Sequence, residues 1–173
     1  MAVVPQPNSH TAVDGQFGFT DETCIEYADL FSPDDFRIAC ALRDELADRF
    51  GWTVPVVKSD EGMRGNILVG MLDKVAIRGA LESAGVDFGD DRLKREGYAL
   101  SVTPESITIG GYDAAGLFYG CQTLLQRINR RDGALQIACG QTIDWPVHPF
   151  RGVHLYVPPK AEIPYFKRLI RYL

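Results

Sequence analysis

Lysine and arginine are missing from the first thirty-six residues, and no apolar run reaches the roughly 20 residues of a membrane-spanning helix. A signal peptide needs a basic start and an apolar centre. None is present, so the chain is expected to be soluble and cytoplasmic unless a natural leader was removed. Histidine is scarce: only His10, His148 and His154 occur, far apart in 173 residues. No H-E-x-x-H pattern and no local Ser/His/Asp grouping can be assembled from them. The four cysteines, at 24, 40, 121 and 139, lack C-x-x-C spacing, so no metal site is expected. Cys40 and Cys121 fall on apolar helix stripes, where a free thiol behaves as a small hydrophobe; disulfides are the second reading. Positive charge is also short. A net charge of −5 and a pI of about 5.2 exclude a surface built for nucleic acid or anionic membrane. The one basic cluster, Arg127-Ile128-Asn129-Arg130-Arg131, reads as the solvated last turn of a helix, where cations suit the dipole.

What is present suffices for one core, since 46% of the residues are hydrophobic. Residues 1–16, with Pro5, Pro7, Asn8 and Ser9, read as a disordered leader. Residues 17–141 then read as one α/β domain, 142–149 as a linker, and 150–173 as the start of a second unit. Thr23 to Tyr27 suits a first strand. Ser32 with Pro33 and Asp35 forms a helix start, and Phe36, Ala39, Cys40, Leu46 and Phe50 form its apolar stripe up to Gly51. Val54 to Val57 reads as a short strand, and Ile67 to Met71 as a strand covered on both faces. Asp73 to Gly85 suits a short helix and Asp87 to Glu96 a polar loop. Tyr98 to Val102 and Ser106 to Ile109 flank a turn and predict a β-hairpin. Asp113 caps a second long helix with Leu117, Cys121, Leu124, Leu125 and Ile128 inward. Ala134 to Cys139 follows as a strand. The hairpin disfavours a purely parallel sheet, so the expected fold is an α+β two-layer sandwich: a mixed sheet with two main helices.

No catalytic site emerges within this domain. Gly110-Gly111-Tyr112-Asp113 precedes a helix, but G-x-G-x-x-G and the P-loop Lys are both missing, so a tight turn plus helix cap is the better reading. Gly116 and Gly120 are expected to let the helix approach the sheet closely. The carboxylate pairs Asp34-Asp35, Asp60-Glu61 and Asp90-Asp91 suit caps and solvated loops.

Two segments carry a resemblance. Glu96-Gly97-Tyr98-Ala99-Leu100-Ser101-Val102 with Ile107-Thr108-Ile109, and then Ala115-Gly116-Leu117-Phe118-Tyr119-Gly120-Cys121-Gln122-Thr123-Leu124, resemble the N-terminal domain of family 20 glycoside hydrolases, the β-N-acetylhexosaminidases. Ile143-Asp144-Trp145-Pro146 and Phe150-Arg151-Gly152 resemble that family's passage into its catalytic barrel. The resemblance implies a non-catalytic, zincin-like leading domain packed on a (β/α)8 barrel. It makes 150–173 the first strand, Arg151 to Val157, and first helix, Ile163 to Leu173, of a truncated barrel. It implies no cofactor, and an N-acetylhexosaminide as substrate of the full-length parent. Family chemistry is substrate-assisted, with an adjacent Asp-Glu pair on a later barrel strand. It also implies that Arg151 binds sugar hydroxyls, a task suited to a fixed guanidinium fork; pairing with a barrel carboxylate is the alternative. One departure stands out: Tyr156 occupies the place of the family Asp, and Pro158-Pro159-Lys160 that of Ser-Arg-His.

A barrel needs about 250 residues and several strand ends to build its site. The chain is therefore expected to be the inactive leading part of a glycosidase. A non-enzymatic α/β docking or carbohydrate-binding module is the alternative, and an anion-using enzyme at Gly110-Gly111 a weaker third. Val153, Leu155, Val157, Phe166, Leu169 and Ile170 must be exposed, pack on the domain, or pair between chains.

Overall fold

The computed structural model of the protein describes residues 3–28, 32–58, 67–88, 94–152, 154, 156 and 158–172. Ser32 opens the first helix, α1 (Pro33–Phe50), as expected. Its Oγ accepts from Asp35 N at 3.2 Å and donates to Asp35 Oδ1 at 2.8 Å. Gly51 closes the helix in the left-handed region at φ 65°. The apolar stripe keeps Ala39 and Leu46 of the expected one, with Phe50 packed against the core, and differs at Phe36. Ile38, Ala39, Leu42 and Leu46 are buried, whereas Phe36 is exposed and rests on the Tyr27 ring instead.

Among the described residues, eight strands form one mixed sheet: β1 (Ser9–Gly18), β2 (Ile25–Tyr27), β3 (Val56–Lys58), β4 (Ile67–Met71), β5 (Tyr98–Val102), β6 (Ile107–Gly111), β7 (Asn129–Arg131) and β8 (Ala134–Asp144). Their order is β1-β8-β5-β6-β4-β2-β3, with β7 on β8. The pairs β1/β8, β8/β5 and β5/β6 are antiparallel; β6/β4, β4/β2 and β2/β3 are parallel. The sheet is mixed, as the hairpin required.

Helix α1 and the second long helix, α3 (Ala114–Arg127), cover one face, packing on Ile67, Val69, Leu100, Ile107 and Ile109. A shorter helix, α2 (Val75–Ser83), covers the other face. Its Ile77 and Leu81 meet Leu68, Ala99 and Ile143, the residues that alternate with the first set. The expected two-layer sandwich is therefore corrected: helices lie on both faces, because Leu68 and its neighbours would otherwise be bare. Gly110 and Gly111 are likewise not a turn but the end of β6. A Cβ on Gly110 would sit 2.6 Å from Leu72 and 2.8 Å from Leu81, and one on Gly111 would enter Leu117. Both glycines let helices lie close to the sheet.

The disordered leader is also overturned. β1 pairs along most of its length with β8, from Ser9↔Ile143 to Gly18↔Gln136. Only Phe17 of this strand is buried, so backbone pairing rather than apolar content anchors it. β8 runs to Asp144, past the expected domain end at 141. The basic cluster splits: Arg127 ends α3, while Asn129–Arg131 form β7, with Arg130 donating to Phe50 O at 2.7 Å.

After β8 come the proline-punctuated segment 145–150 and, beyond it, α4 (Ile163–Tyr172), preceded by one 3₁₀ turn at Lys160–Glu162. Among the described residues of 151–159, none lies in a strand; Val153, Leu155 and Val157 of the expected strand lie outside the described residues. So do Asp60-Glu61, Asp90-Asp91 and, with them, 89–93 of the expected 87–96 loop. Ile163 and Ile170 of α4 are exposed.

Candidate functional site

The residues that carried the resemblance converge on one end of the domain, where β5, β8 and the start of α3 meet the outgoing chain. Asp113 organises it. Its Oδ1 caps α3 by accepting from Gly116 N at 2.9 Å, and its Oδ2 accepts from Glu96 N at 2.9 Å. Glu96 stands in the left-handed region, φ 63°, so the turn before β5 is held by this bond against its intrinsic preference. Gly116 and Gly120 bring α3 against Gly97, Tyr98 and Ile109, as expected of small residues facing a sheet.

Tyr98, buried at the head of β5, lies 2.6 Å by its hydroxyl from Thr123 Oγ1 and donates to Asp144 Oδ2 at 3.4 Å. Burial, with the Asp144 carboxylate nearby, pushes the Tyr98 pKa well above the ordinary phenol value. The group therefore stays protonated and serves as a hydrogen-bond donor, not a base. Tyr98→Phe is expected to cost about 1–2 kcal/mol, read from the urea midpoint; a midpoint equal to wild type would show that this chain contributes nothing.

Asp144, at the end of β8, accepts from Asn8 N at 2.9 Å and Asn8 Nδ2 at 2.7 Å. Asn8 Nδ2 also reaches Trp145 O at 2.7 Å. The N-terminal segment is tied down again where Val4 N donates to Gln126 Oε1 at 2.8 Å and Val4 O accepts from Gln126 Nε2 at 3.1 Å. Arg151, the candidate sugar ligand, is placed here too. Its Nη2 pairs with the Glu96 carboxylate and its Nη1 donates to His148 O at 2.7 Å. The hydrogen bond to Glu96, then one to Tyr119, raises the Arg151 pKa further above its usual value.

Between α3 and the outgoing chain runs a groove of about 540 Å³, lined by Val4, Tyr119, Gln122, Gln126, Trp145 and Arg151 among others. Its polar groups are largely committed to one another. Gln126 is spent on Val4, Asn8 on Asp144, Arg151 on Glu96, and Gln122 accepts from Arg49 at 3.3 Å.

The other candidates stay apart. His10 Nδ1 lies 2.9 Å from Thr142 Oγ1, to which Arg127 also donates at 3.4 Å. Burial, then the Arg127 charge, lowers the His10 pKa; burial also lowers that of Arg127. His154 stacks on Tyr156. The four cysteines are free, and burial pushes the Cys121 thiol up to about 12, which keeps it inert. Among the described residues no cluster of His, Cys, Asp and Glu could hold a metal, and no helix is long and apolar enough to cross a membrane. Sequence reasoning missed Asn8, Asp113 in its second role, and the Glu96–Arg151 pair. Only the E-x-Y and R-G motif positions hinted at the last.

The sequence profile of glycosyl hydrolase family 20, domain 2, matches residues 1–145. No curated protein matches the chain at a significant level. Among solved structures, an inactive mutant of the family 20 exo-β-N-acetylglucosaminidase of Vibrio harveyi is 22% identical, with a TM-score of 0.69 over 97% of this chain and 23% of its own. The family 20 β-N-acetylhexosaminidase of Streptomyces coelicolor A3(2) is 27% identical, with a TM-score of 0.66 over 86% of this chain and 27% of its own. The Streptomyces plicatus N-acetyl-β-hexosaminidase, solved with thio-NAglucal, is 26% identical over the same shares, 86% and 27%, with a TM-score of 0.66. The chain thus spans about a quarter of the length of these relatives. With the family's domain 2 profile matching residues 1–145 and the motif residues building its joint, the chain belongs to glycosyl hydrolase family 20.

Proposed function

We propose that this chain is the leading, non-catalytic part of a glycosidase that removes terminal N-acetylhexosamine residues by the family's substrate-assisted route. Catalysis would take place in a barrel whose first strand and helix come from 150–173, with the adjacent Asp-Glu pair on a later strand. The observation that carries this reading is negative and geometric. The conspicuous motif residues, Glu96, Tyr98, Gly116, Thr123, Asp144 and Arg151, are engaged in packing, capping and pairing at the joint. What they build is a seat for a second unit. Tyr112, Phe118 and Tyr119 are exposed on the same end of α3, as are Val147 and Phe150 in the outgoing chain, and a packed barrel would cover such surface.

A role for Arg151 in binding sugar hydroxyls is the second reading for that residue. Its side chain is 41% exposed beside Glu96, so donors of the fork remain within reach of a ligand. Against it, Arg151 stands at the entry of the expected strand, whereas barrel sites form at the carboxyl ends.

The test is an assay with a chromogenic N-acetyl-β-glucosaminide. The chain alone is expected to show no turnover, and a longer protein that includes the following barrel is expected to hydrolyse it. Turnover by this chain that disappears on mutation of one of its own residues would defeat the proposal.

A further inference from the structure

The N-terminal segment 3–8 forms one wall of the groove and is fastened at two points. At Val4 the side-chain amide of Gln126, in the second half of α3, meets the backbone in both directions. Its Oε1 accepts from Val4 N at 2.8 Å, and its Nε2 donates to Val4 O at 3.1 Å. At Asn8 the segment meets the outgoing chain. Asp144 Oδ1 accepts from Asn8 N at 2.9 Å and from Asn8 Nδ2 at 2.7 Å, and Nδ2 also donates to Trp145 O at 2.7 Å. We propose that residues 3–8 are a strap over the outgoing chain. Asn8 is its positioning residue: through Asp144 and Trp145 it fixes the direction in which the chain leaves β8.

Strand register explains why the task falls to Asn8. β1 and β8 pair antiparallel with Ser9 opposite Ile143 and His10 opposite Thr142, so the next pairs outward are Asn8 with Asp144 and Pro7 with Trp145. Proline has no N–H, and the ladder cannot be extended through residue 7. The Asn8 side chain supplies a donor in its place, and Trp145 O is bound where backbone pairing has run out. From the sheet side, the Tyr98 hydroxyl reaches Asp144 at 3.4 Å and the Trp145 side chain packs on the cluster around Leu68 and Ile143. The strap thus closes over residues that are anchored from below. Apolar burial does not account for its placement, since Val4 is 73% exposed. Pro5 and Pro7 lock φ on either side of Gln6, so little freedom is lost when the strap closes. That is what lets a few exposed hydrogen bonds hold it.

The inference rests on the reading that a second unit follows the outgoing chain, but its test does not need that unit. Backbone order parameters are measured by nitrogen-15 relaxation on the whole chain at the amides of Gln6, Trp145 and Val147. The wild type is expected to show about 0.85 at all three, falling below about 0.6 in Asn8→Ala, while β4–β6 stay rigid. Gln126→Ala frees only the far end of the strap, so Gln6 should loosen and Val147 stay ordered. Asn8→Asp separates donation from packing. It keeps the shape but sets a second carboxylate against Asp144, so at about pH 7 it should loosen the chain as alanine does. At about pH 4 two facing carboxyls share a proton, and order should return at Gln6 in Asn8→Asp but not in Asn8→Ala. A wild-type Gln6 already below about 0.6, or Asn8 variants that leave Val147 ordered, would overturn the strap. So would failure of acid to restore Gln6 in Asn8→Asp. Loss of order reaching β4–β6 would make Asn8 a support of the whole fold and would overturn it equally. Turnover by the longer protein reports on the glycosidase reading separately, so each can fail without the other.

Discussion

Replacing Gly116 by alanine is expected to lower the thermal midpoint by about 6–12 °C, the shift that roughly 3 kcal/mol produces in a domain of this size. The sign is informative because the usual expectation is opposite. Alanine in a helix interior is favoured over glycine by about 1 kcal/mol. At Gly116, however, a Cβ would overlap the carbonyl oxygen of Gly97, and it would sit 2.8 Å from the Gly97 carbon and 3.1 Å from that of Glu96. Those atoms belong to the backbone of the turn that Asp113 holds, so they cannot rotate away as a side chain would. Overpacking against such a wall costs about 1–3 kcal/mol and often more, which outweighs the helix gain. Gly79 is the control. It stands inside α2 with nothing within 4 Å of a built Cβ, so Gly79→Ala should stabilise by up to about 1 kcal/mol. If both variants move the midpoint the same way, the close approach of α3 to the β5 turn is wrong.

Leu117→Ala is expected to be the most damaging truncation at this end, costing about 2–5 kcal/mol in urea titration with little change in slope. Leu117 is fully buried, and it lies on Gly111 so closely that the strand residue has no room for a side chain. The hole left by truncation is walled by the backbone of β6 and the first turn of α3, neither of which can collapse into it. A cost under about 1 kcal/mol would mean that α3 can settle onto the sheet, and that the glycine and leucine are not matched.

Much of the domain could be read along the chain, because local chemistry decides it. Ser32 and Asp113 announce helix starts by side-chain capping, Gly51 an end, and Thr103-Pro104-Glu105 a hairpin turn. Each of these works within four residues of itself. The places where reading failed share one property: the deciding contact is remote. β1 looks like a polar leader, since S-H-T-A-V-D-G-Q carries little that is apolar. Its partner lies more than a hundred residues away and binds it by backbone. The stripe of α1 holds at Ala39 and Leu46 but not at Phe36, which finds its contact in the Tyr27 ring while Ile38 and Leu42 take the inner face. The short helix expected at Asp73 to Gly85 is there as α2, but the two-layer expectation left its face of the sheet open, because periodicity states that a helix has an apolar side, not which face of a sheet it will cover.

The site shows the same division. The residue types of the E-x-Y, A-G-x-F-Y-G and D-x-P motifs were visible as a family pattern. What those residues do to one another was not.

Caps, turns, the hairpin and the family motif follow from the order of amino acids alone, because each depends on neighbours that covalent connectivity already places together. The pairing of β1 with β8, the side of the sheet taken by α2, and the meeting of Glu96 with Arg151 were decided by tertiary structure. Those contacts join segments separated by long loops, and they are selected by where unsatisfied backbone groups, bare apolar faces and opposite charges can be accommodated together, which no local window of sequence contains.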